Sequence, residues 1–312
     1  MRPTGPADGR FAPSPSGPLH LGNLRTALLA WCFARSQRGR FLLRIEDLDP
    51  QRSRAQHEAA ILADLERIGI DWDGEPSHQS DRLERHRAAF EALRSGGGLY
   101  RCWCTRAEIR EALEAPHGAH SDGAYPGICR ELSPRERALR ERSGAPSAWR
   151  LDAQAARVGF NDALAGELSA VVDDFVVWRE GPPAADPRGL PAYSLAVVVD
   201  DAAEGVGQVV RAADLLETTP RQILLAQRLG LPVPSYAHVP LVLGPDGQRL
   251  AKRHGAVTLA ERLERGESIA AVVGWMAASA GLAPAGSSLS TAEVLAAFDP
   301  ERLLSEPAVL TG

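Results

Sequence analysis

A turn rich in proline, serine and glycine, PSPSGPLHLGN over residues 13–23, restricts the possible fold of this chain more than any other stretch. It follows the short extended run Arg10, Phe11 and Ala12. A helical pattern comes next, with Leu24, Leu28 and Trp31 recurring at helix spacing to about Ser36. A strand that passes through a tight turn into an amphipathic helix is the opening unit of an α/β sheet. The pattern repeats at once. Phe41-Leu42-Leu43-Arg44-Ile45 reads as a strand that ends in the acidic string Glu46, Asp47, Leu48, Asp49. Helices marked by Ile61, Leu65 and Ile68, and by Leu83, Phe90 and Leu93, follow. This alternation predicts a parallel sheet with right-handed crossovers. Ligands of such sheets bind beyond the carboxyl ends of the strands, where both the Ser14/His20 turn and Glu46 would sit.

The alternation breaks at Gly96-Gly97-Gly98. Residues 100–190 carry three cysteines, a basic helical stretch at 134–142 and a strand-like run at 171–178, and read as an insertion. The apolar runs 193–199 and 206–210 then resume the sheet as strands. Residues 222–229 read as a helix, and 239–243 as a strand entering the turn Gly244-Pro245-Asp246-Gly247. Two further helices, near 269–280 and 291–298, flank a loop at 284–290. The expected organisation is α/β: a Rossmann-like parallel sheet in two halves, 1–99 and 191–256, with an insertion at 100–190 and a short C-terminal helical region at 257–312. At 312 residues there is ample material for such a core. No run of 18 apolar residues exists and no apolar signal core opens the chain, so the sequence reads as cytoplasmic, without a membrane role.

Two features carry phosphate chemistry. His20 opens a helix after the turn, and Gly22 lets a group come close to the backbone. Helix N-terminal amides with an imidazole suit an anion. A lone histidine-x-glycine string is as often an ordinary turn, but its place between strand and helix favours the phosphate reading. The second feature is QRLAKRHG (residues 248–255), which sets Lys252 in a basic loop. Such charge runs are usually solvated surface. Joined to the His20 turn, Lys252 becomes a second phosphate clamp that can offset charge as it develops.

Taken together, GRFAPSPSGPLHLGN, LLRIEDLD (42–49), PAYSLAVVVDD (191–201), VVRAADLLETTPRQ (209–222) and QRLAK resemble the catalytic core of class I glutamyl-tRNA synthetases, in that family's order. The resemblance implies activation of L-glutamate by ATP with Mg2+, giving glutamyl-adenylate, then transfer to an RNA hydroxyl. His20 matches the first histidine of the family's HIGH motif and Lys252 the second lysine of KMSKS. Asn23 replaces the last histidine of HIGH, and Ala251 the serine of KMSKS. The implied ATP contacts are His20, Gly22, Asn23 and Lys252, with His20 and Lys252 catalytic. The implied glutamate contacts are Arg10, Phe11, Ala12, Pro13, Ser14, Glu46, Tyr193 and Arg211. Charge logic agrees, since a substrate with two carboxylates and an ammonium needs cationic forks for the former and an anion for the latter. Surface charge explains Arg10 equally well in isolation, and a salt bridge to Asp214 explains Arg211. Val197 stands where many full-length members carry asparagine, implying a drier pocket.

Cys102, Cys104 and Cys129 fall within 28 residues, which in a cytosolic chain points to metal before disulfide. Structural zinc wants four tetrahedral ligands. His117 or His120 is chemically the more usual fourth ligand, but the resemblance favours Tyr125. Only 57 residues follow Gly255, too few for the long anticodon-binding region of full-length members. The chain is therefore most similar to the truncated paralogue family that attaches glutamate to the queuosine base in the anticodon of tRNA(Asp). That reading implies ATP, L-glutamate and queuosine-bearing tRNA(Asp) as partners, and no DNA. The net charge of −5 confines RNA contact to one face, and Arg130, Arg135, Arg137 and Arg140 of the insertion are candidates for it. Charging of a tRNA 3′ end and a non-catalytic glutamate-binding paralogue are the alternatives.

Overall fold

Strand β1 (Gly9–Phe11) pairs in parallel with β2 (Phe41–Ile45), Arg10 lying beside Leu42, and α1 (Leu21–Ser36) connects them. The structure is a computed structural model and describes residues 7–114, 125–180, 189–250, 254 and 257–310. Helix α2 (Ala55–Arg67) leads to β3 (Ser77–His78), parallel to β2, and α3 (Leu83–Ser95) ends at the glycine triplet. The next stretch holds β4 (Leu99–Cys102), α4 (Arg106–Glu114), α5 (Pro134–Arg142), β5 (Ala148–Leu151), β6 (Arg157–Asp162), β7 (Gly166–Val171), β8 (Phe175–Arg179) and β9 (Leu190–Pro191). Then come α6 (Tyr193–Glu204), β10 (Gln208–Ala212), α7 (Thr219–Leu229), β11 (Ser235–Val239) and β12 (Val242–Leu243). Helices α8 (Leu259–Glu264), α9 (Ile269–Ser279) and α10 (Thr291–Ala296) precede β13 (Ala308–Val309).

Strands β10 and β11 are parallel, with Arg211 directly beside His238. The flank of β1 away from β2 meets β10, where the Gly207 and Gln208 amides donate to the Asp8 carbonyl at 2.9 and 3.1 Å. On its other side β11 pairs with β6 through Tyr236 and Asp162, and β6 forms an antiparallel hairpin with β7. Residues 157–171 thus extend the core sheet, while β4, β5, β8 and β9 form a separate antiparallel sheet.

Alternation along the strands separates two cores, as a sheet covered on both faces requires. Phe11, Phe41, Leu43, Val210 and Ala237 join α1, α9 and the C-terminal helices. Leu42, Val209 and Tyr236 join α3, α6 and α7. By the same period-two rule Arg10, Arg44, Arg211 and His238 belong to this second face. Four polar side chains thus lie under one helical cover, at the carboxyl ends of their strands.

The cover is where the structure corrects the sequence reading. Residues 193–199 form the first turns of α6, not a strand. Val197, Val198 and Val199 are buried there. The helix cost of a β-branched residue is a fraction of a kcal/mol, against roughly 1.5 kcal/mol or more for burying each side chain. Gly205, at φ 74°, ends the helix in the left-handed conformation that glycine adopts without strain. Residues 171–178 are likewise not one strand. Val171 ends β7, Phe175 opens β8, and Asp173 and Asp174 between them turn to polar partners. The expected strand 239–243 breaks at Pro240, which has no N–H for a ladder. Its second piece, β12, pairs with β13 instead. No helix among the described residues is long and apolar enough to cross a membrane.

Candidate active site

Asp201, on the inner side of α6, organises the covered face. Its Oδ1 accepts from Arg44 Nη2 at 2.7 Å and from Arg10 Nε at 3.3 Å, all three groups being buried. Burial alone would raise the Asp201 carboxyl, yet Arg10 and Arg44 hold it below its usual range. Arg44 also pairs with Glu204 at 2.6 Å. Deeper, Asp200 receives Gln79 and His86 at 3.0 Å each. The sequence reading missed this acidic floor, because it took residues 193–199 for a strand.

Glu46 follows β2, its amide tied to the Pro13 carbonyl at 3.0 Å. Its carboxylate is 9 % exposed, and the nearest cation, Arg44 Nη2, is 3.8 Å away. Glu46 Oε1 is buried without a hydrogen-bond partner among the described residues. Burial pushes the carboxyl up to about 7 against the pull of Arg44 and Arg10. A buried acceptor in want of a donor fits an incoming ammonium.

Arg211 is 5 % exposed and does not pair with Asp214, which meets Arg249 at 3.2 Å instead. Its Nε donates to His238 Nε2 at 3.0 Å and its Nη1 to Gln222 Oε1 at 2.8 Å. Its Nη2 donates to Thr219 Oγ1 at 2.8 Å and to the Leu215 carbonyl at 3.3 Å. One of its five N–H groups is left over among the described residues. Arg10 spends Nε on Asp201 and one Nη1 hydrogen on the Val210 carbonyl, so its Nη2 pair stays available. Arg10 is thus the freer fork. Gln222 Nε2 is likewise buried, with no partner among the described residues.

Tyr193 opens α6 and is 40 % exposed at the mouth of this face. Burial of its hydroxyl raises it, Glu46 adds to that, and Arg211 and Arg10 oppose. Arg10, Glu46, Tyr193 and Arg211 therefore share one electrostatic neighbourhood. Ser14 is exposed in the turn, Ala12 half-buried and Pro13 buried. The Phe11 ring is committed to the core against α1. Val197 is packed in the apolar cluster beneath α6.

His20 caps α1. Its Nδ1 accepts the Asn23 amide at 3.2 Å, so the neutral ring carries its proton on Nε2. Burial lowers this imidazole below its ordinary value, against Asp214, which favours the neutral form at pH 7. A side chain at Gly22 would be tight: its Cβ would stand 3.0 Å from His20 Nδ1 and 3.3 Å from the Val242 Cβ, so the ring would have to give way by a few tenths of an ångström. The close approach anticipated at Gly22 is thus made by His20 itself. The Leu21 amide donates to the Val257 carbonyl at 2.7 Å and is not free for an anion. Asn23 is exposed. Lys252 and Ala251 lie outside the described residues, as do His117 and His120.

The three cysteines converge. Their Sγ atoms lie within 4.8 Å of one another, with Cys104 and Cys129 at 3.4 Å. The Tyr125 hydroxyl stands 3.4 Å from both Cys102 and Cys104. Tetrahedral zinc with ~2.3 Å bonds to sulfur sets ligands about 3.8 Å apart, so these donors fit such an ion. Burial and the two thiols raise the Tyr125 phenol, a group that a bound cation would instead favour as phenolate. Arg150 stacks on the Tyr125 ring at 3.7 Å, and the Tyr125 amide donates to Asp173 at 3.0 Å. Asp173 also receives Arg221 of α7 at 2.6 Å, fastening the cluster to the core.

Comparison with known proteins identifies the family. Residues 8–288 match the family described as tRNA synthetases class I (E and Q), catalytic domain. A glutamyl-Q tRNA(Asp) synthetase of Nocardia farcinica is 56% identical over 99% of this chain and 94% of its own length. One from Symbiobacterium thermophilum is 49% identical over 96% and 94%. A glutamate–tRNA ligase of Aquifex aeolicus is 41% identical over 82% of this chain and 54% of its own length. Among solved structures, a glutamate tRNA ligase from Elizabethkingia meningosepticum in complex with its amino acid superposes with a TM-score of 0.82 at 28% identity, covering 98% of this chain and 67% of that one. With the family model matching residues 8–288 and these relatives covering most of its length, this chain belongs to the class I tRNA synthetases for glutamate and glutamine, of which it carries the catalytic domain.

Proposed function

We propose that this protein activates L-glutamate with ATP and transfers the glutamyl group to the queuosine base of tRNA(Asp). The observation that carries the reading is the alignment of 99% of the chain, at 56% identity, with a relative named for that reaction. The geometry supports its first step. The Arg10 fork takes one carboxylate, the last Arg211 N–H and the Tyr193 hydroxyl assist the other, and Glu46 receives the ammonium. Ser14 and the backbone of residues 11–13 complete the rim. The glutamate α-carboxylate then attacks the α-phosphorus of ATP, and pyrophosphate leaves. His20 donates Nε2–H to the phosphates, where charge builds up, Lys252 serves as the second phosphate clamp, and Gly22 and Asn23 frame the His20 ring. Mg2+ enters with ATP and neutralises phosphate charge. In the second step a queuosine hydroxyl attacks the mixed anhydride, releasing AMP.

Cys102, Cys104, Cys129 and Tyr125 hold one structural zinc, which orders the loops of the insertion. Arg135, Arg137 and Arg140 lie on the exposed helix α5 and offer phosphate contacts, whereas Arg130 is engaged with Asp174 at 3.0 Å. The place of work is the cytoplasm. The test is transfer of labelled glutamate to tRNA(Asp) with and without queuosine, beside tRNA(Glu). Label is expected only on the queuosine-bearing RNA, resistant to removal of its 3′ end. Label on the 3′ end of tRNA(Glu) overturns the reading.

A further inference from the structure

Behind Arg211 stands a second pair of side chains that the reaction above does not use. His238 Nδ1 lies 2.6 Å from Asp162 Oδ2, and His238 Nε2 accepts from Arg211 Nε at 3.0 Å, with Thr219 Oγ1 3.1 Å away. Asp162, at the end of β6, is itself fixed. Its Oδ1 accepts the amides of Leu164 and Ala165 at 3.0 Å each and of His238 at 3.2 Å. Both side chains are buried, 1 % and 0 % exposed.

The hydrogen bonds determine where the imidazole proton sits. Arg211 has only donors, so His238 Nε2 must offer a lone pair. The proton is then on Nδ1, donated to Asp162. A protonated ring, or the other tautomer, would point one N–H at another across 3.0 Å. Burial also lowers the His238 imidazole, with Arg211 and Arg10 adding to this and Asp162 opposing it.

We propose that Asp162 and His238 are positioning residues that lock the imidazole with its proton on Nδ1, and thereby hold the Arg211 guanidinium where its remaining N–H meets the substrate carboxylate. The idea rests on the reading of Arg211 as a glutamate contact. Through it the β6–β7 hairpin, which lies within the stretch that also carries the cysteines, reaches under the amino-acid pocket.

Asp162→Asn is the sharpest perturbation, because an amide can keep the three backbone N–H bonds on its oxygen while its NH2 faces His238. The imidazole must then accept at Nδ1 and carry its proton on Nε2, against Arg211. The expected result in ATP–pyrophosphate exchange is a glutamate KM raised about tenfold, the scale of one lost charge-assisted hydrogen bond, with the ATP KM changed less than twofold. Nitrogen NMR of labelled histidine should show the His238 proton moving from Nδ1 to Nε2. His238→Gln, whose oxygen can face Arg211 and whose NH2 can face Asp162, should recover most of the affinity lost in His238→Leu, even if Asp162→Asn folds poorly. Arg211→Lys, measured alongside, separates two kinds of failure. If Arg211→Lys raises the glutamate KM while Asp162→Asn and His238→Leu do not, or if they raise the glutamate and ATP KM equally, the positioning role is wrong and the pocket stands. If Arg211→Lys leaves the glutamate KM unchanged, the pocket itself is misplaced and the proposal falls with it.

Discussion

Replacing Glu46 by glutamine tests a buried carboxyl that desolvation pushes up to about 7. That carboxyl keeps an oxygen with no hydrogen-bond partner among the described residues. Only the ionised form can receive the substrate ammonium as a partner. If the carboxyl titrates near 7, the free protein is competent in about half its molecules at pH 7 and in roughly one in eleven at pH 6. Glutamate Kd should therefore weaken about fivefold between those two values, and level off above pH 8. Glu46→Gln removes a buried charge-assisted bond worth about 2–3 kcal/mol, so Kd at pH 8 should rise roughly 30- to 150-fold. The pH dependence between 7 and 8 should vanish with it. The sign for stability is opposite to that for binding. A carboxyl raised in the folded state favours folding when protonated, and that contribution is lost as pH rises from about 4.5 through about 7. Glu46→Gln should accordingly raise Tm at pH 8 and leave it nearly unchanged at pH 4.5. Calorimetric titration with glutamate at pH 6, 7 and 8, and thermal melts at pH 4.5 and 8, read both effects. An unchanged Kd in the variant, or a wild-type Kd that is flat from pH 6 to 8, refutes the assignment.

Other outcomes follow from the same geometry. Gly22→Ala places a Cβ against His20 Nδ1 and Val242, and displacing the ring should slow adenylate formation about tenfold without altering glutamate Kd. Equal loss of both would assign His20 to the amino-acid pocket. Asp201→Asn leaves the buried Arg10 and Arg44 without their shared carboxylate, and a loss of about 3 kcal/mol in denaturant unfolding is expected. A loss under 1 kcal/mol would mean Glu204 alone sustains Arg44. Metal analysis should give about one zinc per chain, absent in Cys102→Ser, which should also be cleaved faster by protease near the insertion. A metal-free and fully folded wild-type protein contradicts the site.

The residues at strand ends were legible because period-two alternation and a turn leave a clear pattern. Arg10, the His20 turn, Glu46 and Arg211 could be placed from spacing and resemblance, and the structure brings Arg10, Glu46 and Arg211 to the same sheet face. The helix that covers them was not legible. Three consecutive valines read as a strand, and only burial between the sheet and α3 and α7 makes them helical. Gly205 and the acidic residues Asp200, Asp201 and Glu204, spaced for one helix side, were the signal available in the sequence. Missing α6 meant missing Asp201, and with it the reason Arg10 and Arg44 tolerate burial. Asp162 and His238 were invisible for another reason. They come from strands 76 residues apart, and nothing local to either announces the pairing. The cysteine cluster was legible from spacing, while the hydroxyl that joins it required the resemblance.

The most direct measurement is glutamate-dependent exchange of labelled pyrophosphate into ATP in the absence of RNA. The account predicts exchange with L-glutamate, far weaker exchange with L-glutamine, and its collapse in Glu46→Gln. No exchange with any amino acid, or equal exchange with glutamate and glutamine, would contradict a pocket built to select a dicarboxylate beside the phosphates.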